Sequence, residues 1–427
     1  MHHDITDLAQ PLPFDPEMTK RLRGDGIWSD DSIAGWVMAN AEKFPDRLAA
    51  TWEGGQMTHR ELAAGVKKLA GGLGGLGLSR GDVVATLLNN TPEFLLAYFA
   101  IPMAGCIIQP VHMAYARSDV VDLLAHSGAK ATICADGGKL LAGNSLPPSL
   151  SWIIGVGEAP PPLLSFEELD GPAPDYSPRG EDCFLLLYTS GTSASPKSVP
   201  TAHQNRTGNT RVFTSDLKIT EQDVVLSAAP FSHSYGLWGI DMGAFSGANI
   251  HLCETFSPPA FAQAIAASRA NLLYMAPAHM AGLMATGVVN EEILESVRIV
   301  VLAGAACSPD QTRAFDKLMK NGKVVQLWGM SEIQAGTLTR HDDDVEIAAL
   351  TAGPPPRGNE IRIADEDTGA SLPQGAKGEL QIRGASVFPG YFNNPDANAD
   401  SFTTGGWFRS GDLAVMDEGG RASLTGR

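Results

Sequence analysis

Cysteine is scarce in this 427-residue chain: Cys106, Cys134, Cys183, Cys253 and Cys307 stand far apart, with no C-x-x-C pair. That spacing argues against a disulfide framework or a cysteine zinc site. Free buried thiols in a reducing cytoplasm are the expectation. Positive charge is also short. With 31 Lys and Arg against 48 Asp and Glu, the net charge is −17. A chain so acidic has little with which to neutralise phosphates over a broad surface, which argues against wide contact with nucleic acid or an anionic membrane. Long apolar runs are missing too. The longest, residues 94–108, is shorter than a membrane span and contains Pro102 and Gly105. It reads as a buried helix followed by a buried strand. The polar start, Met1-His-His-Asp, has no signal-peptide core. There is no repeat, no low-complexity tract and no G-x-S-x-G nucleophile elbow.

What is present is the composition of a globular protein, 44% hydrophobic and 19% charged, with 46 glycines. The length allows two or three domains. A helix-like stretch covers 34–41. Strand-like segments follow at 82–88, 131–135, 224–226, 249–252, 272–275, 299–302 and 323–327, with helical stretches between most of them. Thr91 and Pro92 carry the marks of a helix cap and first helical residue. Such alternation predicts α/β architecture with mainly parallel, helix-covered sheets. After about residue 340 the texture changes. Residues 360–364 and 378–383 alternate with the period of a strand and are separated by glycine-rich turns, which predicts a small antiparallel β subdomain. The expected division is 1–200, 201–340 and 341–427.

The chemistry concentrates first at 188–200, YTSGTSASPKSVP. A strand runs into Thr189, Ser190, Gly191 and Thr192, whose backbone N–H groups and hydroxyls suit an anion, and Lys197 adds a mobile charge. The spacing from Gly191 to Lys197 approximates a Walker A loop. Pro196, however, has no N–H and excludes that nest. On composition alone, a polar turn after a buried strand is as good a reading.

The whole string resembles the signature loop of the adenylate-forming enzymes: acyl-CoA synthetases, luciferases and peptide-synthetase adenylation domains. The proline is usual there. Ser193, Ala194 and Ser198 depart from the pattern, the last two replacing glycines, and this should stiffen the loop. Further segments match in the family's order: 81–94; 230–236 (PFSHSYG); 303–306 (AGAA); 328–332 (WGMSE); 407–412 (WFRSGD); and Gly426-Arg427. The ordered set is specific where each member alone is weak.

The resemblance implies activation of a carboxylic acid by Mg-ATP to an acyl-adenylate, with transfer of the acyl group to coenzyme A. The fold it implies is an acyl-CoA synthetase-like large domain with a β-barrel-like subdomain. Glu332 would hold Mg²⁺ and Ser331 would meet the α-phosphate. Thr189, Ser190, Gly191, Thr192 and Lys197 would take the β,γ-phosphates. The adenine site would be formed by Gly304, Ala305, Ala306, Trp328, Gly329 and Met330, with Trp328 stacking on the base. Asp412 and Arg427 would hold the ribose. His233 would face the acid and the coenzyme A path, with Trp238, Gly304 and Ala305 beside the acyl group. Each of these residues also has a bland reading as a turn, core or surface side chain. The resemblance further implies a C-terminal lid domain with a catalytic lysine beyond Arg427. Without it, slow adenylation is the expectation. A carrier-protein-loading enzyme and a non-catalytic adenylate-binding protein stay open, as does the identity of the acid. A homodimer is compatible with the sequence, which leaves the oligomeric state open.

Overall fold

The computed structural model describes residues 16–141, 145–159, 163–172, 174, 176–189 and 197–427. Two large sheets dominate. The first has seven strands in the spatial order Leu164–Ser165, Trp152–Gly155, Ala131–Cys134, Val83–Leu87, Ile107–Pro110, Cys183–Thr189 and Lys197–Ala202. Its pairings are parallel except the last, a hairpin that sets Thr189 opposite Lys197. The second has eight strands: Gln334–Leu338, Lys323–Met330, Ile299–Leu302, Leu272–Met275, Val224–Ser227, Asn249–Leu252, Leu48–Trp52 and Gly55–Thr58. It is parallel through its middle and antiparallel at both edges. The hairpin at 48–58, early in the chain, therefore completes the sheet built mostly from residues beyond 220. The third sheet is the small antiparallel one that the sequence texture predicts. It comprises Asn359–Ala364, Lys377–Gly384, Phe408–Met416 and Ala422–Gly426.

The central strands are apolar along their whole length because both faces are covered. Val83–Leu87 and Ile299–Leu302 are buried at every position. The apolar run at 94–108 divides as expected into the helix Pro92–Met103 and the strand Ile107–Pro110. Thr91 Oγ1 accepts the Phe94 N–H and Pro92 opens the helix, where its missing donor is harmless. This helix and the helix Ser234–Ser246 lie in one continuous apolar cluster with both sheets: Val84 and Ile108 from the first, Ala50 and Ile250 from the second, and Phe94, Tyr98, Leu237 and Ile240 between.

The helix His203–Asp216 departs from this pattern. Its buried residues include His203, Gln204, Asn205, Arg206, Thr207, Asn209 and Thr210. Polar partners compensate for part of this burial, while His203 Nδ1, Asn205 Oδ1, Thr207 Oγ1 and Thr210 Oγ1 have no hydrogen-bond partner among the described residues. Asn205 donates to the carbonyls of Ala385 and Val387 and so ties the helix to the chain leading out of the small sheet. Arg206 pairs with Asp241 at 2.5 Å, and Tyr98 donates to the same carboxylate at 2.9 Å. Burial disfavours the guanidinium charge, but Asp241 and Tyr98 more than restore it. Three helices are thus pinned by one charged cluster. Losing one member of such a buried pair costs about 3–5 kcal/mol.

Gly236 lies where the helix Ser234–Ser246 passes the strand end before it. A Cβ there would sit 2.2 Å from the Pro230 carbonyl oxygen. We expect Gly236→Ala to lose about 1–3 kcal/mol of stability through overpacking. Denaturant unfolding checks this, and an unchanged midpoint would contradict the close approach.

Candidate active site

In the eight-stranded sheet the chain leaves Val224–Ser227 and adds Asn249–Leu252 on one side. It then crosses back to add Leu272–Met275 on the other. At such a reversal the connections diverge and leave a crevice outside the carboxyl ends of the strands. A cavity of about 330 Å³ lies there. Its walls come from the segments that follow four parallel strands, including Ala229 and Pro230, Ala276, Ala303 and Gly304, and Met330 and Ser331. The first turn of the helix Ser234–Ser246 closes one side with His233, Ser234, Tyr235 and Trp238. No side chain caps that helix start, and the positive end of its dipole favours a carboxylate.

Six of the expected residues line this one cavity: His233, Trp238, Gly304, Gly329, Met330 and Ser331. Ala305 and Ala306 are exposed on the turn beyond Gly304 and are not among its walls. Gly304 itself has φ +90°, a conformation that glycine adopts without strain. Trp328 sits behind the wall, 4% exposed, with its indole packed over Gly336. Its Nε1 donates to Asp412 Oδ2 at 2.8 Å. The other Asp412 oxygen lies 3.2 Å from Arg427 Nε. The two ribose candidates therefore meet each other and the adenine candidate.

Glu332 is 7% exposed. Burial raises its carboxyl pKa, opposed by a hydrogen bond from Tyr391 and by the charges of Lys197 and Arg427. Tyr391 Oη donates to Glu332 Oε1 at 2.8 Å, and Lys197 Nζ lies 4.9 Å from the centre of the Tyr391 ring. Tyr391 thus joins the phosphate-loop lysine to the metal candidate. Ser190, Gly191 and Thr192 lie outside the described residues, but both ends of their loop are described. Ser198, at a glycine position of the signature, is buried. Its Oγ donates to the Phe392 carbonyl, and its own carbonyl accepts the Phe392 N–H, both at 3.2 Å. The hydroxyl that replaces the glycine anchors the strand to the Tyr391 segment.

The His233 ring lies tilted against that of His112, with ring centres 5.4 Å apart. Burial, then the neighbouring His112 charge, lower the His233 pKa, which favours the neutral ring at pH 7. Among the described residues no group of three or more His, Cys, Asp or Glu could cage a metal. Magnesium needs no such cage when it is held through one or two carboxylates and the substrate's phosphates. A buried carboxylate held above its usual pKa gains from an added cation, so Glu332 fits that role.

Residues 37–392 match the model of the AMP-binding enzyme family. The chain belongs to the AMP-binding enzyme family. It is 27% identical over 437 residues to the medium-chain fatty-acid–CoA ligase of Escherichia coli (strain K12), covering 99% of this chain and 77% of that one. It is 28% identical over 397 residues to feruloyl-CoA synthase of Amycolatopsis sp, covering 92% and 77%. The apo structure of Mycobacterium smegmatis MbtA superposes with a TM-score of 0.88 at 28% identity, covering 98% of this chain and 80% of that one. The α/β fold with its parallel helix-flanked sheets is the one this family shares.

A second cavity, of about 360 Å³, lies at the ends of strands in the seven-stranded sheet. Glu93, Asp136, Glu158 and Glu254 line it against a single lysine, Lys139. That balance disfavours phosphates in the second cavity. Motif reading missed Tyr391, Arg206 and Gln334, which come from outside the family's signature strings. No helix among the described residues is long and apolar enough to cross a membrane. Of the thiols, burial pushes Cys106 and Cys183 up to about 12 and Cys134 to about 11, which makes them inert at neutral pH. Cys253 and Cys307 are partly exposed.

A raised Glu332 pKa makes the folded state bind more protons than the unfolded one between about pH 4.3 and the folded value. Stability therefore falls as pH rises through that window. We expect Glu332→Gln to melt higher than the wild type at pH 8, with the two converging near pH 4. Calorimetry at both pH values checks this, and a lower melting point for the variant at pH 8 would contradict it.

Proposed function

We propose that this chain activates a carboxylic acid with Mg-ATP, forming an acyl-adenylate and pyrophosphate, and that coenzyme A is the thiol that then receives the acyl group. One observation carries the reading. Ser331 faces the cavity while Glu332, next in the chain, turns away from it to Tyr391 and Lys197. An acid bound in the cavity would thus lie beside the hydroxyl assigned to the α-phosphate. The carboxylate assigned to magnesium would stand one residue away.

The acid is already ionised at neutral pH, so attack on the α-phosphate needs no general base. Its oxygen forms the bond to phosphorus as the bond to the pyrophosphate oxygen breaks. The protein's task is orientation and charge neutralisation. The helix start at Ser234 and the neutral His233 ring would orient the carboxylate. Ser331 would donate to the α-phosphate oxygen on which charge grows. Lys197, with Thr189, Ser190, Gly191 and Thr192, would draw off charge from the departing pyrophosphate. Magnesium, when bound through Glu332, supplies neutralisation of the phosphates. Asp412 and Arg427 would take the ribose hydroxyls, with Gly304 beside the adenine and Trp328 holding Asp412 from behind the wall. His233 and His112 would border the thiol's approach. The proposed domain division follows the same roles: phosphate loop before about 200, acid and adenine sites to about 340, ribose contacts beyond.

The test is acid-dependent exchange of labelled pyrophosphate into ATP, across aliphatic, alicyclic and aromatic acids. We expect exchange with one class. It should fall roughly 100-fold or more in Glu332→Gln and about 10–100-fold in Ser331→Ala, in line with the loss of one preorganised transition-state contact. Exchange that ignores the acid, or survives Glu332→Gln unchanged, would refute the proposal.

A further inference from the structure

The cavity wall carries two polar features that an apolar acid cannot use. Gln334 lines the cavity and is 6% exposed. Its Nε2 is committed to the Ser386 carbonyl at 3.1 Å, which fixes the orientation of the amide. Its Oε1 is buried and has no hydrogen-bond partner among the described residues. The backbone at Gln334 has φ +57°, a left-handed conformation disfavoured for this residue type. Strain and an unmet acceptor together mark a position held for a ligand.

Arg206 is the second feature. It lines the same cavity and is 1% exposed. A guanidinium has five N–H donors. Three go to Asp241 Oδ2, Ser234 Oγ and the Ser234 carbonyl. Tyr98 bonds the same cluster, so at least one donor remains without a partner among the described residues. Ser234 Oγ, also on the wall, accepts from Arg206 and keeps its own proton to donate. The wall therefore offers one acceptor without a donor, and donors without acceptors. A hydroxyl answers both, since it donates and accepts.

Resting on the adenylation reading, we propose that the acid taken by this cavity carries a hydroxyl group on its carbon skeleton, and that Gln334 and Arg206 are the specificity-determining residues that read it. An unsubstituted acid of the same shape leaves the Gln334 oxygen and the remaining guanidinium donor without a partner. Sites built to bond a hydroxyl discriminate far more strongly than sites that only measure size.

The test is equilibrium binding of paired non-hydrolysable acyl-adenylate analogues to the 427-residue chain. Hydroxybenzoyl against benzoyl sulfamoyladenosine, and hydroxyoctanoyl against octanoyl, each with the hydroxyl at several positions, span aromatic and aliphatic skeletons. The expected result is a preference of roughly 100-fold or more for one hydroxylated analogue. Gln334→Leu should shrink it below about 10-fold without weakening the unsubstituted partner. Because Arg206→Met alone would strand the Asp241 charge in the core, it is combined with Asp241→Leu, and this variant should also lose the preference. Equal or tighter binding of every unsubstituted analogue overturns the inference and leaves adenylation standing. A preference that survives Gln334→Leu and the double variant overturns the assignment of the readers. Binding of no analogue at all refutes the adenylation reading and this inference with it.

Discussion

The reversal of strand order beside Val224–Ser227 is the constraint from which the site follows. Parallel strands end on one side of their sheet, and right-handed connections fill the space above them except where the chain changes direction. That gap receives the turns after four strands and the start of the helix Ser234–Ser246. Residues from 206 to 335 thereby reach one cavity of about 330 Å³. The early hairpin Leu48–Thr58 extends the same sheet at its far edge. The small antiparallel sheet brings Asp412 against Trp328 behind the wall.

Several groups around this cavity are arranged at some expense of stability. Glu332 is buried with its charge disfavoured. Gln334 is strained and has a bare oxygen. Arg206 and Asp241 are fully dehydrated, a pairing that apolar residues could replace without loss in many proteins. In the proposed reaction these groups would meet a cation, phosphates and an acid. The surrounding core, continuous from one large sheet to the other, is what holds them in unfavourable settings.

The central strands of the large sheets were legible because both their faces are apolar, and short runs such as 299–302 stand out between helices; strands such as Leu48–Trp52, Trp152–Gly155 and Gln334–Leu338 were not read. The cap at Thr91 was legible for the same local reason. The pairing of Leu48–Trp52 with Asn249–Leu252 was not, because nothing local records a contact across about 200 residues. The helix His203–Asp216 hid its burial, since its core-facing side chains are polar and break the usual apolar period. Within the site, signature strings led to His233, Gly304, Ser331, Glu332 and Asp412. They did not lead to Tyr391, which meets Glu332 across 59 residues, or to the Arg206–Asp241 pair across 35. Those partners meet in space and are visible only once helices and sheets are packed.

The most direct measurement is a crystal structure of the chain with a bound acyl-adenylate analogue. The acyl group is expected between Trp238 and Gln334, the phosphate mimic at Ser331, and the ribose at Asp412. Density for the adenylate in the acidic second cavity beside Asp136 and Glu158, with the first cavity unchanged, would contradict it.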